Sequence, residues 1–140
     1  MAKTSGVGIT ALTIDDSSGT ARNVINDIGD FQISTPRAVQ DVTGVDKSAM
    51  ERLLLLADAS VTVNGFYNDA ATTGLHSVLK TVPSTSVLRQ MVFTITGTVG
   101  ANTLTLETMI TDYALTRASD GALTVTAPAV LANGAVPTWA

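Results

Sequence analysis

Between Ser86 and Ala127 apolar side chains alternate with hydroxyl, amide and charged ones in successive runs, and a period of two is the mark of a half-buried strand. In Ser86 to Thr96, Val87, Met91, Phe93 and Ile95 share one face, with Leu88, Gln90, Val92 and Thr94 on the other. In Thr103 to Thr111, Leu104, Leu106 and Ile110 stand opposite Thr103, Thr105, Glu107 and Thr111. Gly97 to Asn102 turns the chain between these runs, which predicts a long antiparallel hairpin. The apolar parity shifts at Tyr113, so Asp112 to Arg117 is expected to continue the strand past a bulge. Ser119-Asp120-Gly121 is a hairpin turn, and Leu123, Val125 and Ala127 alternate with threonines in a last long strand that Pro128 ends or edges.

The first third reads as shorter β text. Gly8 to Ile14 is a strand, Asp15 to Gly19 a turn, Ala21 to Ile25 a second strand hairpinned on the first, Asp27 to Asp30 a further turn, and Phe31 to Ser34 a third strand stopped at Pro36. The carboxylates of Asp15, Asp16, Asp27 and Asp30 fall in these turns, where aspartate accepts backbone N–H bonds; the ligand ladder of a calcium loop is missing. Arg37 to Asp46 keeps neither period and is expected to be a long connection, of a length that in compact domains usually has a task such as contact with another subunit.

The middle of the chain departs from this pattern. Ser48 lies three residues before Glu51, the spacing of a reciprocal helix cap, so a helix is expected over Lys47–Leu56. Its four consecutive leucines, Leu53 to Leu56, wrap most of a turn in apolar surface, and something must cover them, either the chain's own sheet or a neighbouring copy. Ser60 to Tyr67 is a strand with Val61 and Val63 inward. Leu75, Val78, Leu79 and Val82 then follow helical spacing, with Thr72 or Thr73 placed to cap and Pro83 to stop a small helix over Thr72–Thr81.

The 140 residues suit a single domain over 1–140, with terminal arms at about 1–7 and 129–140. Cysteine is absent, so disulfides and thiolate metal sites are excluded. No signal peptide and no apolar run of membrane-spanning length is visible, and the expectation is a protein of the cytoplasm with no membrane partner. Charged residues make up only 14% and the net charge is −4, which argues against a sequence-specific DNA binder. With 45% hydrophobic but only 4% aromatic residues, the chain suits a thin sandwich, and so few charges suggest surface hidden in an oligomer; the alternative is a monomer with a Ser/Thr surface.

Catalytic chemistry is not expected. His76 is the sole histidine and reads as a surface residue, and with no other conventional base a hydrolytic triad is improbable. Gly6-Val7-Gly8 precedes a strand, the wrong context for phosphate binding. Neither a cofactor, a metal nor a small-molecule ligand is expected. A glycan-binding sandwich is a further reading, weakened by the supply of one tryptophan and two tyrosines.

The run TPRAVQDVTGVDKSAMERLLLLADASVTVNGFYNDAATTGLHSVLKTV, two hairpins and the ending DGALTVTAPAVLANGAVPTW, taken in that order, resemble the major tail tube proteins of long-tailed phages over about Gly8 to Trp139. The resemblance implies a mainly β fold, an antiparallel β-sandwich or open barrel flanked by one or two short α-helices. Hexameric rings of such subunits stack into a hollow tube in the virion tail, through which DNA passes without sequence-specific contact. The implied partners are further copies, tape measure, tail tip or baseplate, and terminator proteins. The helix over Thr72–Thr81 would lie on the sheet's outer side. Arg37, Gln40, Asp41 and Asp46 become candidates for inter-ring stacking and Trp139 for an arm contact. A DNA channel should be neutral to acidic, which makes Glu107 the lumen candidate. A capsid decoration protein and the inner tube of a contractile or secretion-type machine are the alternatives.

Overall fold

A computed structural model describes residues 3–97 and 100–140; Met1 and Ala2 of the expected N-terminal arm, and residues 98 and 99 of the Gly97–Asn102 turn, lie outside the described residues. The strands are β1 (Ala11–Asp15), β2 (Ala21–Asn23), β3 (Ile28–Ser34), β4 (Arg37–Asp41), β5 (Arg52–Ala57), β6 (Ser60–Phe66), β7 (Arg89–Gly97), β8 (Gly100–Ile110), β9 (Ala114–Arg117), β10 (Leu123–Leu131) and β11 (Thr138–Trp139). One helix, α1 (Leu75–Leu79), and a 3-10 turn at Ile25–Asp27 complete the described elements.

Among the described residues nine strands form one antiparallel sheet in the order β2-β1-β7-β8-β10-β6-β3, with β11 added to β8 and β9 to β10. The sheet folds over on itself. Leu12 and Ile14 of β1, Met91 and Phe93 of β7, and Leu104 and Leu106 of β8 face Val61 and Val63 of β6 and Val125, Ala127 and Ala129 of β10 in one core. Phe31 of β3 and Phe93 of β7, on strands that are not neighbours, close the two layers with ring centroids 5.1 Å apart. This is the expected β-sandwich, and the alternation that predicted its strands is the alternation between core and surface.

The fold hinges on β10, one edge of which pairs with β6 while the other is shared. Leu123–Thr126 pair with β9 and Ala129–Leu131 with β8. Pro128 therefore does not end the strand; it sits in the gap between β9 and β8. Its carbonyl accepts the Thr111 N–H at 3.0 Å, so its nitrogen faces the same edge, where the missing N–H deprives no ladder partner. Asp112 to Arg117 likewise does not prolong β8; the chain leaves β8 at Ile110 and β9 pairs only with β10.

Residues 129–131, expected in a terminal arm, continue β10, and the chain then turns at Asn133-Gly134. Both turn residues have positive φ, 64° and 78°, the combination that favours Asn-Gly. The end of the chain folds back on its own sheet, with Thr138 opposite Thr105 and Trp139 opposite Leu104.

The helix Thr72–Thr81 contracts to α1, and its stripe faces the core: Leu75, Val78 and Leu79 are buried among both layers instead of lying outside the sheet. Neither threonine caps it. Thr72 holds a left-handed φ of 66°, Gly74 is the N-cap, and the Leu75 N–H donates to the carboxylate of Asp27 at 3.0 Å. Asp27 also accepts the side-chain amide of Asn68 at 2.9 Å and is nearly buried. It does accept a backbone N–H, but from 48 residues away and not within its own turn. Asp16, in contrast, accepts Thr20 and Ser18 N–H bonds inside its turn, and these with Arg22 hold its carboxyl below the usual range. Asp27→Asn is expected to cost about 1–2 kcal/mol, because charge-assisted bonds at a buried helix start are weakened; urea unfolding checks it, and an unchanged midpoint would contradict the assignment.

Candidate assembly surface

The stretch from Arg37 to Ala57 departs most from expectation. No helix forms over Lys47–Leu56, and Arg37–Asp46 is not a connection without structure: β4 and β5 pair as a two-stranded antiparallel ribbon with Gln40 opposite Leu53 and Asp41 opposite Arg52. The ribbon extends the β3–β6 hairpin beyond the sandwich, past a break at Pro36 and Asp58 where the Asp58 N–H donates to the Pro36 carbonyl at 3.0 Å. Its strands have five and six residues, and at about 3.3 Å each they run roughly 20 Å.

Its far end is held by local polar bonds. The Thr43 hydroxyl donates to Asp41 at 2.6 Å and accepts the Glu51 N–H at 2.8 Å, while the Val42 N–H donates to the Glu51 carbonyl. The Thr43 hydroxyl and N–H hold the Asp41 carboxyl below its usual range. Lys47 lies 3.6 Å from both Asp46 and Glu51. The Lys47–Glu51 pair thus spans a turn. At the root, Arg37 Nε donates to the Leu55 carbonyl at 2.8 Å, inside a register shift between Arg37 and Val39.

The leucines stay in the open. Leu53, Leu54, Leu55 and Leu56 are 53%, 63%, 42% and 86% exposed, and Val39, Val42, Val45 and Met50 are exposed beside them. Exposed apolar residues of this kind on a protein with so little charge make the ribbon the candidate contact surface. The candidates Arg37, Gln40, Asp41 and Asp46 all belong to this ribbon, on β4 and the turn after it. Trp139 joins them at the root, lining a groove with Arg37, Ala57, Asp58 and Val136 while its ring remains exposed.

Glu107 lies apart from the ribbon, on the outward face of β8 opposite Gln90 of β7. That face, with Thr13 of β1, Val92 and Thr94 of β7, and Thr103 and Thr105 of β8, carries no lysine or arginine. The only cation on these three strands, Arg89, points the other way and is buried.

His76 is not simply a surface residue. Its Nδ1 lies 2.8 Å from the Tyr113 hydroxyl and its ring packs 4.7 Å from Tyr67, and burial pushes the Tyr113 phenol above its usual value. Among the described residues, no three His, Cys, Asp or Glu side chains are placed to hold a metal, and no helix is long and apolar enough to cross a membrane.

No family model and no curated protein matches the sequence. Solved structures do match in shape. A chain from the tail of an empty gene transfer agent particle, computed with helical refinement and C6 symmetry, superposes with a TM-score of 0.69 at 18% identity, covering 99% of both chains. A chain from the virion of a native gene transfer agent particle superposes with a TM-score of 0.65 at 17% identity, covering 92% of this chain and 95% of the other. The fold is that of these gene transfer agent tail and virion chains.

Proposed function

We propose that this chain is the subunit of a hollow tail tube: six copies close a ring, rings stack, and DNA passes through the channel of the virion tail. The observation that carries the reading is a leucine-rich ribbon on a sandwich with the fold of a tail chain, its leucines left exposed among the described residues. A head-to-tail contact that closes makes a ring, and the same surface repeated along the axis makes a stack. The ribbon, through Arg37, Gln40, Asp41, Asp46 and the leucines, is the inter-ring contact. Trp139 at its root braces it.

The cation-free face of β1, β7 and β8 lines the channel, with Glu107 and Asp15 toward the DNA. Polyanionic DNA is held by lysine and arginine and slides past threonine and carboxylate. Tape measure, tip or baseplate, and terminator proteins would meet the open ends of the stack.

The test is electron microscopy of the purified protein over a concentration series, alone and with tail-initiation proteins. Rings and long hollow tubes are expected, and a reconstruction should place Glu107 on the channel wall. A protein that remains monomeric at the highest concentration, with its initiation partners present, would overturn the reading.

A further inference from the structure

We infer that the outward face of β3, β6 and β10 carries a glycan-binding cleft, in which Asp30, Asn64 and Thr126 take the hydroxyls of a neutral sugar and Phe66 supports its ring. This goes beyond the tube reading and does not depend on it.

Three strands in register build the polar side of the cleft. Asn64 of β6 lies opposite Asp30 of β3 on one side and Thr126 of β10 on the other. All three point away from the core, because they alternate along their strands with the core residues Phe31, Val63, Val125 and Ala127. The Asn64 amide nitrogen donates to the Asp30 carboxylate at 2.6 Å, and its carbonyl oxygen accepts the Thr126 hydroxyl at 2.9 Å. A carboxylate only accepts, so these bonds fix which way the amide faces. Among the described residues, the second carboxylate oxygen of Asp30 and the second amide N–H of Asn64 have no protein partner. An acceptor and a donor thus stand side by side on a rigid sheet. Neighbouring hydroxyls of a sugar, each donor and acceptor at once, satisfy both.

A bulge makes the opening beside them. The register of β3 against β6 shifts between Ile28 and Asp30, and Gly29 at the shift brings no side chain. A Cβ there would come within 3.2 Å of the Phe66 ring, so the ring lies over bare backbone. Phe66 is 55% exposed and stands opposite Thr124. These residues line a cleft of about 280 Å³. That is the small end of the roughly 300–1,000 Å³ of ligand pockets and suits one sugar ring. A second cleft of about 390 Å³ continues past Gly29 and Asp30 toward Ile25 and Phe31, with space for the next ring.

The lining selects the ligand class. An exposed aromatic ring beside convergent polar groups matches the C–H face and hydroxyl rim of a pyranose. Neither cleft is lined by lysine or arginine among the described residues, so a phosphate or nucleic acid finds no counter-charge. The Asp30 carboxylate repels an acidic sugar. A lipid chain would leave the free acceptor and donor unpaired. In the tube reading this layer lies across the core from β1, β7 and β8, on the side away from the channel.

Saturation-transfer NMR on the full chain, with the methyl glycosides of glucose, galactose and mannose and with maltose, tests the cleft. The method observes the ligand and reads monomers and tubes alike. Transfer to the ring protons of at least one of these sugars is expected, with a dissociation constant on the order of 1 mM. Phe66→Ala and Asp30→Asn are each expected to weaken binding about tenfold at an unchanged melting temperature. Gln32→Ala, on the same face but outside the cleft, should bind like wild type. If Phe66→Ala lowers the melting temperature, Phe66→Leu replaces it, removing the ring while keeping most of the volume. No transfer to any of the sugars at about tenfold that constant, or undiminished binding by both variants, would overturn the cleft and leave the tube reading intact. Glucuronate bound as well as the glucoside would overturn the assignment to neutral sugars. Wild-type protein that forms neither rings nor tubes but binds a sugar would remove the tube reading alone.

Discussion

Arg89→Leu is expected to destabilise the chain by about 3–5 kcal/mol, the largest effect of any single substitution considered. Arg89 is 1% exposed, and no carboxylate forms an ion pair with it among the described residues. Its guanidinium is satisfied by neutral oxygens instead. One nitrogen donates to the Asp15 carbonyl at 2.9 Å and the Val78 carbonyl at 2.7 Å, and the other to the Thr81 hydroxyl at 2.9 Å. Burial lowers the guanidinium pKa while the charges of Asp16 and Asp15 raise it, and arginine remains charged at any working pH.

The side chain thus ties the end of α1 to the end of β1 from within β7, and the Arg89 carbonyl accepts the Thr108 hydroxyl of β8 at 2.7 Å. Leucine would fill part of the space but leave the buried Val78 carbonyl and the half-buried Asp15 carbonyl without this donor, and a buried unpaired group costs about 1–3 kcal/mol. Arg89→Lys should recover only part of the loss, since an ammonium cannot reproduce the planar fork. Urea unfolding of both variants is the measurement. A leucine variant within about 0.5 kcal/mol of wild type, the range of ordinary surface changes, would show that the bonds are not holding the helix.

Gly65→Ala is expected to cost about 3 kcal/mol, at the upper end of overpacking effects. Gly65 lies opposite both Val125 of β10 and Ile28 of β3, where the 3-10 turn and the start of α1 converge on β6. A Cβ there would overlap the backbone carbonyl oxygen of Asp27 and lie 3.1 Å from the side chain of Leu75. Relief requires moving the backbone of Asp27, and with it the carboxylate that receives the Leu75 N–H. Gly29→Ala is the control. Its Cβ would lie tightly, at 3.2 Å, only against the exposed ring of Phe66, which can turn, and at an ordinary 3.8 Å from the Asn64 carbonyl oxygen. Thermal unfolding should therefore separate the two alanine variants clearly; similar melting temperatures would contradict the crowding at Gly65.

Much of this was legible in the residues themselves. The strands β7, β8 and β10, their inward leucines and valines, and the Ser119-Asp120-Gly121 turn follow from a period of two and from local turn chemistry, which any few residues display without reference to the rest of the chain. The leucine run read as surface to be covered by the chain's own sheet or by a neighbouring copy, and among the described residues it stays exposed. Its conformation was not legible. Four consecutive leucines satisfy every period at once, and the Ser48–Glu51 spacing fits a helix as well as a turn. What decides for a strand is β4, whose backbone offers hydrogen bonds a helix would have had to find within itself.

Arg89 shows the same limit from the other side. Its parity places it with Met91 and Phe93, yet a charge on an apolar face conflicts with the pattern until the end of α1 brings carbonyls to it. Asp27 read as a turn carboxylate because nothing in its neighbourhood foretells Leu75. By itself the sequence determined which segments alternate and which face of each is apolar, because alternation is a property of neighbours along the chain. Only the tertiary structure decided which edge each strand joins, which buried polar groups find partners, and which apolar surface is left for another molecule, because those depend on atoms far away in sequence.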